Sequence, residues 1–280
     1  MARKIVITSG KGGVGKTTLC ANLGLCLAKK GFRVMLLDVD IGLNNLDVIS
    51  GIENKVVFDV VDIIEGKCRP RQALIQHPDF PSLYILPSAH AYNVGKVDGN
   101  SLRAVVNHLS SSFDYILIDC PAGIELGFHR AVFCASEAII VTTPHISAVR
   151  DANKVASILN GYYLTNINLV VNRVRGDLVL SNNMLSAEDL AKSLEIPLLG
   201  VIPESDEIST LSSVYGSALV CEKEVGKAFE IIAENLHNGG CKKFDYTEKY
   251  KGFFGKIKQN LKRRIWCFKN LEALKNCKKF

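Results

Sequence analysis

The chain alternates between short apolar runs and longer stretches of mixed polarity. The runs are apolar at nearly every position, which is typical of strands that are buried on both faces of a sheet. Most of the stretches between them are long enough for a helix. This alternation predicts an α/β fold, with a doubly wound and mostly parallel sheet and helices on both of its faces. The predicted strands span residues 4–8, 33–38, 83–86, 115–119, 138–143, 168–171 and 198–202.

Length and composition predict one large domain and a separate C-terminal segment. The chain has 280 residues, 48% of them hydrophobic, which is enough for a single large core. We expect residues 1–237 to form this domain, residues 238–248 a linker, and residues 249–280 a tail. No apolar run approaches the roughly 18 residues that a membrane span needs, and no secretory signal is visible. We therefore expect a protein of the cytoplasm or of a plastid stroma.

A glycine-rich loop with the sequence GKGGVGKTT lies between the first predicted strand and a helix predicted over residues 19–29. Its spacing is that of a phosphate-binding loop, in which backbone N–H groups and the helix N-terminus surround the phosphates. We expect Lys16 to reach the terminal phosphates and the Thr17 hydroxyl to hold Mg²⁺. A glycine-rich turn without a ligand would not need the strand and the helix on its two sides. The predicted phosphate-binding residues are Gly10, Lys11, Gly12, Gly13, Val14, Gly15, Lys16, Thr17 and Thr18.

Carboxylates follow two other predicted strands at the point where each strand ends. Asp38 and Asp40 come after one run, and Asp119 ends another. Ligands of parallel sheets bind at the carboxyl ends of the strands, so these groups are candidates for Mg²⁺ ligands or for positioning water. A single aspartate at a strand end is more often a turn former or a helix cap. Both interpretations stay open on the residues alone.

The second lysine of the loop, Lys11, narrows the class of protein. With it, the loop resembles the deviant Walker A loop of the ParA/MinD family of P-loop ATPases. The resemblance implies a homodimer that forms around ATP, in which Lys11 reaches the phosphates bound by the partner subunit. From the residues alone, Lys11 is equally explained as a solvated loop charge.

The same resemblance extends from Arg3 to about residue 232 and assigns further roles. It implies that Asp40 orients the attacking water, with Lys11 and Lys16 as the other catalytic groups. Together with Thr17, Asp119 would bind Mg²⁺, and Asp38 would lie nearby. Asn44 departs from the family pattern, which has a basic residue there. Nucleotide contacts are also implied for Asn45 on the phosphate side and for Asn172, Arg173 and Pro203 at the adenine base.

A surface segment at Arg150 and Asp151 resembles one that members of this family use to bind partners. By resemblance, these partners are a MinC-like inhibitor and a MinE-like activator, and the expected output is placement of the division septum.

The tail is strongly basic and amphipathic. Residues 249–280 contain eleven Lys or Arg and one acid, Glu272, whereas the whole chain has a net charge of +6, so the rest of the chain is net negative. On a helical projection, the apolar side chains of the tail fall within about 120°. A basic helix with such a face is typical of binding in the interface of an anionic membrane. Packing on its own domain and a nucleic-acid arm are the alternatives. The predicted membrane face consists of Tyr250, Phe253, Phe254, Ile257, Leu261, Ile265 and Phe268.

Together these features predict an ATP-hydrolysing switch, peripheral on the inner face of a membrane, with ATP and Mg²⁺ as cofactors and without a nucleic-acid partner. A flagellar-number regulator and a DNA-partition ATPase of the same family are the nearest rivals. An iron–sulfur electron-transfer ATPase is a rival from a different class. The chain has nine cysteines but no C-x-x-C pair, which argues against a metal cluster.

Overall fold

Eight strands form one sheet in the part of the chain that the structure describes. The computed structural model describes residues 1–40, 45–88, 97–208 and 225–251. The strands are β1 Arg3–Thr8, β2 Val34–Asp38, β3 Ile75–Gln76, β4 Leu83–Leu86, β5 Tyr115–Asp119, β6 Glu137–Thr142, β7 Asn166–Val174 and β8 Leu198–Pro203. Their order is β3-β4-β2-β5-β1-β6-β7-β8. All neighbours are parallel except β3 and β4 at one edge, so the predicted doubly wound sheet is confirmed.

Helices connect the strands. Within the described ranges they are α1 Lys16–Lys29, α2 Asn45–Ile49, α3 Val60–Ile64, α4 Gly99–Leu109, α5 Leu126–Phe133, α6 Ile146–Leu159, α7 Gly176–Leu180, α8 Ala187–Leu194 and α9 Gly226–Asn238. All seven predicted strands are present; β4 and β5 have the predicted ends, whereas the other five are shifted, and β7 is longer at both of its ends. The prediction missed β3, because two residues are too few to form a periodic pattern.

Both faces of the sheet are buried, as the continuous apolar strands predict. On β1, Val6 belongs to a core cluster with α4, α5, α6 and α8, whereas its neighbours Ile5 and Ile7 belong to a second cluster with α1 and α9. Successive side chains of a strand point to opposite faces, so strands that are apolar at every position supply both clusters. The two clusters hold the carboxyl ends of the strands in one row.

The segment predicted as a linker lies against the domain. The helix α9 ends at Asn238 and is capped by Gly239, which has a φ of 66°. Beyond it, the backbone N–H of Lys242 donates to Asn235 Oδ1 at 2.9 Å, and Tyr246 is 9% exposed. In the described residues, no helix is long and apolar enough to cross a membrane.

A partly buried ion pair joins the first residues of β1 and β6, Arg3 and Glu137. Arg3 donates through Nε and Nη2 to the two carboxylate oxygens of Glu137, at 2.8 and 2.7 Å. The third donor, Nη1, bonds the backbone oxygen of Leu236 at 2.6 Å. The Glu137 side chain is 7% exposed and that of Arg3 is 35% exposed, so water solvates the guanidinium only in part. A two-pronged pair of this kind is among the stronger ionic contacts of proteins.

We expect Arg3→Ala to lower the free energy of unfolding by about 1.5–3 kcal/mol, because Glu137 then stays buried without its partner. The matched control is Arg33→Ala, whose ion pair with Asp114 is 3.9 Å long and about half exposed. That change should cost less than about 1 kcal/mol. Urea denaturation of both variants measures the difference, and equal midpoints would contradict the prediction.

Candidate active site

The phosphate-binding loop runs from the end of β1 into the first turn of α1. Gly13 and Gly15 have φ values of 73° and 99°, a conformation that glycine adopts without strain. A Cβ at Gly15 would collide with the side-chain nitrogen of Asn172. That nitrogen donates to the backbone oxygen of Val14 at 2.8 Å. The loop is therefore held from one side by the end of β7.

The side chains of the two lysines in the loop lie in different environments. Lys16 is 8% exposed, and its Nζ donates to Ser9 Oγ at 3.0 Å. Ser9 Oγ in turn donates to the backbone oxygen of Lys11 at 2.7 Å. Lys11 is exposed, and its Nζ lies 3.5 Å from Ser147 Oγ on α6. Lys16 thus lies inside the subunit's own site, and Lys11 lies on its surface.

Asp38 and Asp119 end neighbouring strands at the same register. Both are 2% exposed. Burial and the charge of Asp119 raise the pKa of Asp38 well above its usual value. Burial raises the pKa of Asp119 to about 7, although a hydrogen bond from Thr17 and the charge of Lys16 lower it. Two carboxylates in such a place favour a shared proton or a bound cation.

The two aspartates differ in which of their carboxylate oxygens accept a hydrogen bond. Asp38 accepts the backbone N–H groups of Asp40 at 2.8 Å and Leu46 at 3.3 Å, so both of its oxygens hold the segment that follows β2. Asp119 Oδ1 is buried and has no hydrogen-bond partner among the described residues. An unpartnered buried carboxylate oxygen next to Thr17 fits Mg²⁺, which proteins usually bind through one or two oxygen ligands together with phosphates. Asp119 and Thr17 are therefore the better ligand candidates, and Asp38 supports the segment.

Asp40 and Asn45 are the other described residues that were predicted on the phosphate side. Asp40 is partly exposed; burial raises its pKa, and the charge of Lys16 lowers it, which places the two groups within electrostatic reach. Asn45 begins α2 and is exposed, and within the described ranges it forms no hydrogen bond to the loop. Asn44 lies outside the described residues.

A small pocket of about 170 Å³ lies beside the loop at the ends of β7 and β8. Asn172, Arg173 and Pro203 line it, as predicted for the adenine site. Arg173 has a φ of 59°, a left-handed conformation that is strained for a residue other than glycine. The amide oxygen of Asn172 accepts the N–H of Arg173 at 2.8 Å, so Asn172 already holds both the loop and the strand end. The apolar part of the lining is formed by Leu19, Ile202, Ile208 and Phe229.

Two supporting contacts were not predicted. One is the Ser9 hydroxyl described above. The other is Asp151, whose Cβ and backbone oxygen would lie 2.6 Å from a Cβ at Gly10. The first glycine of the loop is therefore needed because α6 packs directly on it. A contact between residues 141 positions apart leaves no local pattern, so the sequence offered no signal for it.

Of the seven residues predicted for the membrane face, the structure describes one, Tyr250. Tyr250 is 8% exposed and lies over Gly176, so in this conformation it contacts the domain and is not presented to a membrane. The remaining six, Phe253 to Phe268, lie outside the described residues.

Cys120 and Cys134, two of the nine cysteines of the chain, are buried. Cys120 is 1% exposed and Cys134 is 2% exposed, and burial raises the pKa of each thiol to about 12. A cluster between subunits needs exposed thiolates. Neither cysteine offers one.

Comparison with known proteins identifies the family. The model of the CobQ/CobB/MinD/ParA nucleotide-binding domain matches residues 5–215. The septum site-determining protein MinD of Synechocystis sp. is 42% identical over 264 residues, which cover 93% of this chain and 99% of that protein. This chain belongs to the MinD family. The family consists of P-loop ATPases, and the cofactors are ATP and Mg²⁺.

Solved structures of MinD proteins share the fold. One chain of a MinC:MinD cell division protein complex from Aquifex aeolicus is 39% identical to this chain, with a TM-score of 0.79. The match covers 86% of this chain and 98% of the Aquifex aeolicus chain. MinD of Pyrococcus horikoshii, solved with Mg-ADP, is 35% identical with a TM-score of 0.75, covering 84% and 96%.

We expect Asp119→Asn to stabilise the nucleotide-free protein at pH 8 by about 2–4 kcal/mol. An acid whose pKa rises on folding favours its protonated form, so its ionisation destabilises the fold increasingly as the pH rises from about 4 to about 7. The amide never ionises, so its advantage should grow over this window and then stay constant. Urea unfolding at several pH values measures it.

The control is Asp114→Asn, an exposed aspartate, whose stability should follow that of the wild type across the same pH range. Parallel profiles for wild type and Asp119→Asn would show that Asp119 does not carry this charge penalty.

Proposed function

We propose that this protein is an ATP-driven membrane switch that places the division septum of a cell or plastid. ATP would join two subunits, the paired tails would bind the inner face of a membrane, and hydrolysis would release them. Support comes from the phosphate-binding loop with its second lysine, from the basic amphipathic tail, and from the similarity to MinD proteins.

The observation that carries this proposal is the separation of the two loop lysines. Lys16 is buried and bonded to Ser9 inside its own site, whereas Lys11 is exposed with one long contact to Ser147. Two cations on one short loop repel each other unless an anion lies between them. A polyphosphate shared with a second subunit supplies that anion, and Lys11 is placed to approach it from outside.

The residues around the site fit hydrolysis of ATP. Bound ATP with Mg²⁺ supplies the phosphoryl group, which water attacks while the bond to the ADP oxygen breaks. Lys16 and the N–H groups of the loop bind the phosphates, and Thr17 and Asp119 face the metal position. By family resemblance, Asp40 is assigned to orient the water; it is partly exposed, and the charge of Lys16 acts on its pKa. Its raised pKa keeps it a better proton acceptor than an ordinary aspartate.

The energies of the tail suit a reversible anchor. Each apolar side chain contributes at most roughly 1.5–3 kcal/mol on full burial, and burial in an interface is partial. Each cation adds about 1 kcal/mol near an anionic leaflet. Ordering the backbone costs on the order of 1–2 kcal/mol per residue, so a single tail binds weakly. Two tails on one dimer gain about 10²–10⁴ in avidity, which couples membrane binding to the nucleotide.

Partner proteins are proposed by family resemblance. A MinC-like inhibitor and a MinE-like activator are the expected partners, and a MinC complex is known for the Aquifex aeolicus relative. The start of α6 offers a surface for them: Ile146 is 79% exposed, and Arg150 is exposed beside Asp151, which packs on the loop. A partner bound there would touch the wall of the phosphate site.

A chain that ends at Lys251 should bind ATP like the full chain but lose recruitment to anionic vesicles by at least about tenfold. The cut follows Lys251, so the contacts of residues 241–251 with the domain are kept. Sedimentation with vesicles in ATP and in ADP measures recruitment, and the full chain should pellet mainly with ATP.

Two results would contradict this proposal. Vesicle binding by the shortened chain would place the lipid contact elsewhere, and ATP-dependent binding of the full chain to DNA in place of vesicles would favour a partition ATPase.

Lys11→Ala should keep ATP binding within a few-fold but abolish the ATP-dependent dimer, because Lys11 does not face its own site. Lys16→Ala should lose ATP binding itself, since it removes the buried phosphate ligand. Light scattering of size-exclusion fractions gives the mass, and titration calorimetry gives the affinity. A Lys11→Ala protein that still dimerises with ATP would exclude the proposed role in the partner's site.

A further inference from the structure

The hydroxyl of Ser9 lies between the two lysines of the phosphate-binding loop. Ser9 follows β1 directly and is 1% exposed. Its Oγ accepts a hydrogen bond from Lys16 Nζ at 3.0 Å and donates one to the backbone oxygen of Lys11 at 2.7 Å. One buried side chain therefore contacts both the lysine inside the subunit's own site and the peptide that carries the lysine on the surface.

These two bonds determine the orientation of the Ser9 hydroxyl. A serine hydroxyl has a single hydrogen to donate and lone pairs that accept, whereas a lysine ammonium has only donors. Because the carbonyl of Lys11 takes the hydrogen, the lone pairs of Ser9 Oγ face Lys16. Hydrogen bonds arranged in one chain polarise and strengthen each other. The hydroxyl therefore fixes the direction of the Lys16 ammonium.

Ser9 holds this ammonium without neutralising its charge. Among the described residues, Ser9 Oγ is the one atom that accepts a hydrogen bond from Lys16 Nζ, and Lys16 forms no ion pair. Its charge acts on Asp40 and Asp119 without direct contact. A paired carboxylate would cancel the charge, whereas a hydroxyl occupies one N–H donor and leaves the others for phosphate oxygens.

The same hydroxyl fixes one peptide of the loop. In a trans peptide the carbonyl and the N–H that follows it point in opposite directions. Because Ser9 holds the carbonyl of Lys11, the N–H of Gly12 points away from Ser9. Within the part of the chain that the structure describes, this N–H donates to no backbone oxygen. It is therefore available to an anion.

The backbone of Ser9 extends these contacts to the segment after β5. Its carbonyl oxygen accepts the N–H of Gly123 at 3.3 Å. Gly123 has a φ of 89°, which glycine adopts without strain. A Cβ at Gly12 would lie 3.8 Å from the Cβ of Ala122, which is ordinary van der Waals contact. Ser9 thus connects the phosphate-binding loop to the segment that follows the candidate metal ligand Asp119.

We propose that Ser9 is a positioning residue for ATP hydrolysis that orients both loop lysines together. Its hydroxyl aims Lys16 at the phosphates of its own subunit. The same hydroxyl holds the peptide from which the Lys11 side chain extends toward the phosphates of the partner subunit. Ser9 acts through the two lysines and transfers no proton. This inference rests on the proposed hydrolysis of ATP and on the proposed role of Lys11.

Steady-state hydrolysis of Mg-ATP by the Ser9→Ala variant tests the proposal. We expect kcat to fall at least about tenfold and KM to change less than about threefold. The loop N–H groups still bind ATP, whereas both lysines lose their orientation in the transition state. Titration calorimetry with Mg-ADP gives the number of sites per chain and corrects for an inactive fraction. An unchanged kcat, with or without a higher KM, would overturn the proposal.

Two further variants separate hydrogen bonding from packing and from stability. The thiol of Ser9→Cys fills the space of the hydroxyl but is a weak donor and acceptor, so this variant should lose as much activity as Ser9→Ala. The control is Ser110→Ala, which removes another buried hydroxyl that donates to a backbone oxygen, that of Asn107 at 2.7 Å. Ser110 lies at the other end of β1, where its own carbonyl accepts the N–H of Ala2.

The kcat of Ser110→Ala should equal that of the wild type. Wild-type activity of Ser9→Cys would show that Ser9 only fills space, and an equal loss in Ser110→Ala would show a general loss of stability. Either result would overturn the proposal.

A double-mutant cycle reports the contact without ATP. Ser9→Ala leaves the buried ammonium of Lys16 without its acceptor, so it should lower the urea midpoint of unfolding. In a Lys16→Met background this shift should shrink by at least about half. Equal shifts in the two backgrounds would overturn the proposal. A wild type that does not hydrolyse ATP would instead refute the proposed function, and the cycle would still report whether Ser9 holds Lys16.

Discussion

The site depends on two buried carboxylates that lie side by side. Asp38 and Asp119 end adjacent parallel strands at one register, and the sheet leaves almost no water around them. Charges in such surroundings are costly unless a cation or a proton offsets them. Asp38 uses its oxygens to hold the backbone of Asp40 and Leu46, so the electrostatic state of the pair is tied to the position of the segment that carries Asp40. A cation or a proton bound at this pair would therefore also affect the position of the segment that follows β2.

Support for the phosphate-binding loop comes from distant parts of the chain. Asn172 on β7 holds it at Val14, and the backbone of Asp151 on α6 lies against Gly10. The end of β7 and the helix α6 therefore share the same short loop as a neighbour. Any shift of α6 or of the end of β7 changes the space available to Gly10 or Gly15, where the backbone cannot accept a side chain.

Local patterns in the sequence were sufficient for the sheet and for the loop, but not for their contacts. The apolar runs gave seven strands, whereas β3 was too short to be recognised. Candidate ligands were found because glycines, lysines and strand-end aspartates have characteristic spacings. Ser9 and Asp151 have none. Tyr250 was assigned to the membrane face by projecting one helix from its position. In the structure it ends a 3₁₀ turn, Glu248–Tyr250, and Lys251 is extended, so the helical projection does not apply at that residue.

The order of the strands spreads the nucleotide site along one edge of the sheet. The groups for phosphate chemistry follow β1, β2 and β5, whereas the base pocket follows β7 and β8, with β6 between the two groups. The residues proposed to bind the base and those proposed to act on the phosphates therefore come mostly from separate stretches of polypeptide. Asn172 links the two, because its amide also holds the phosphate-binding loop at Val14. An engineer who redesigns the pocket to accept another nucleotide would therefore have to keep this residue.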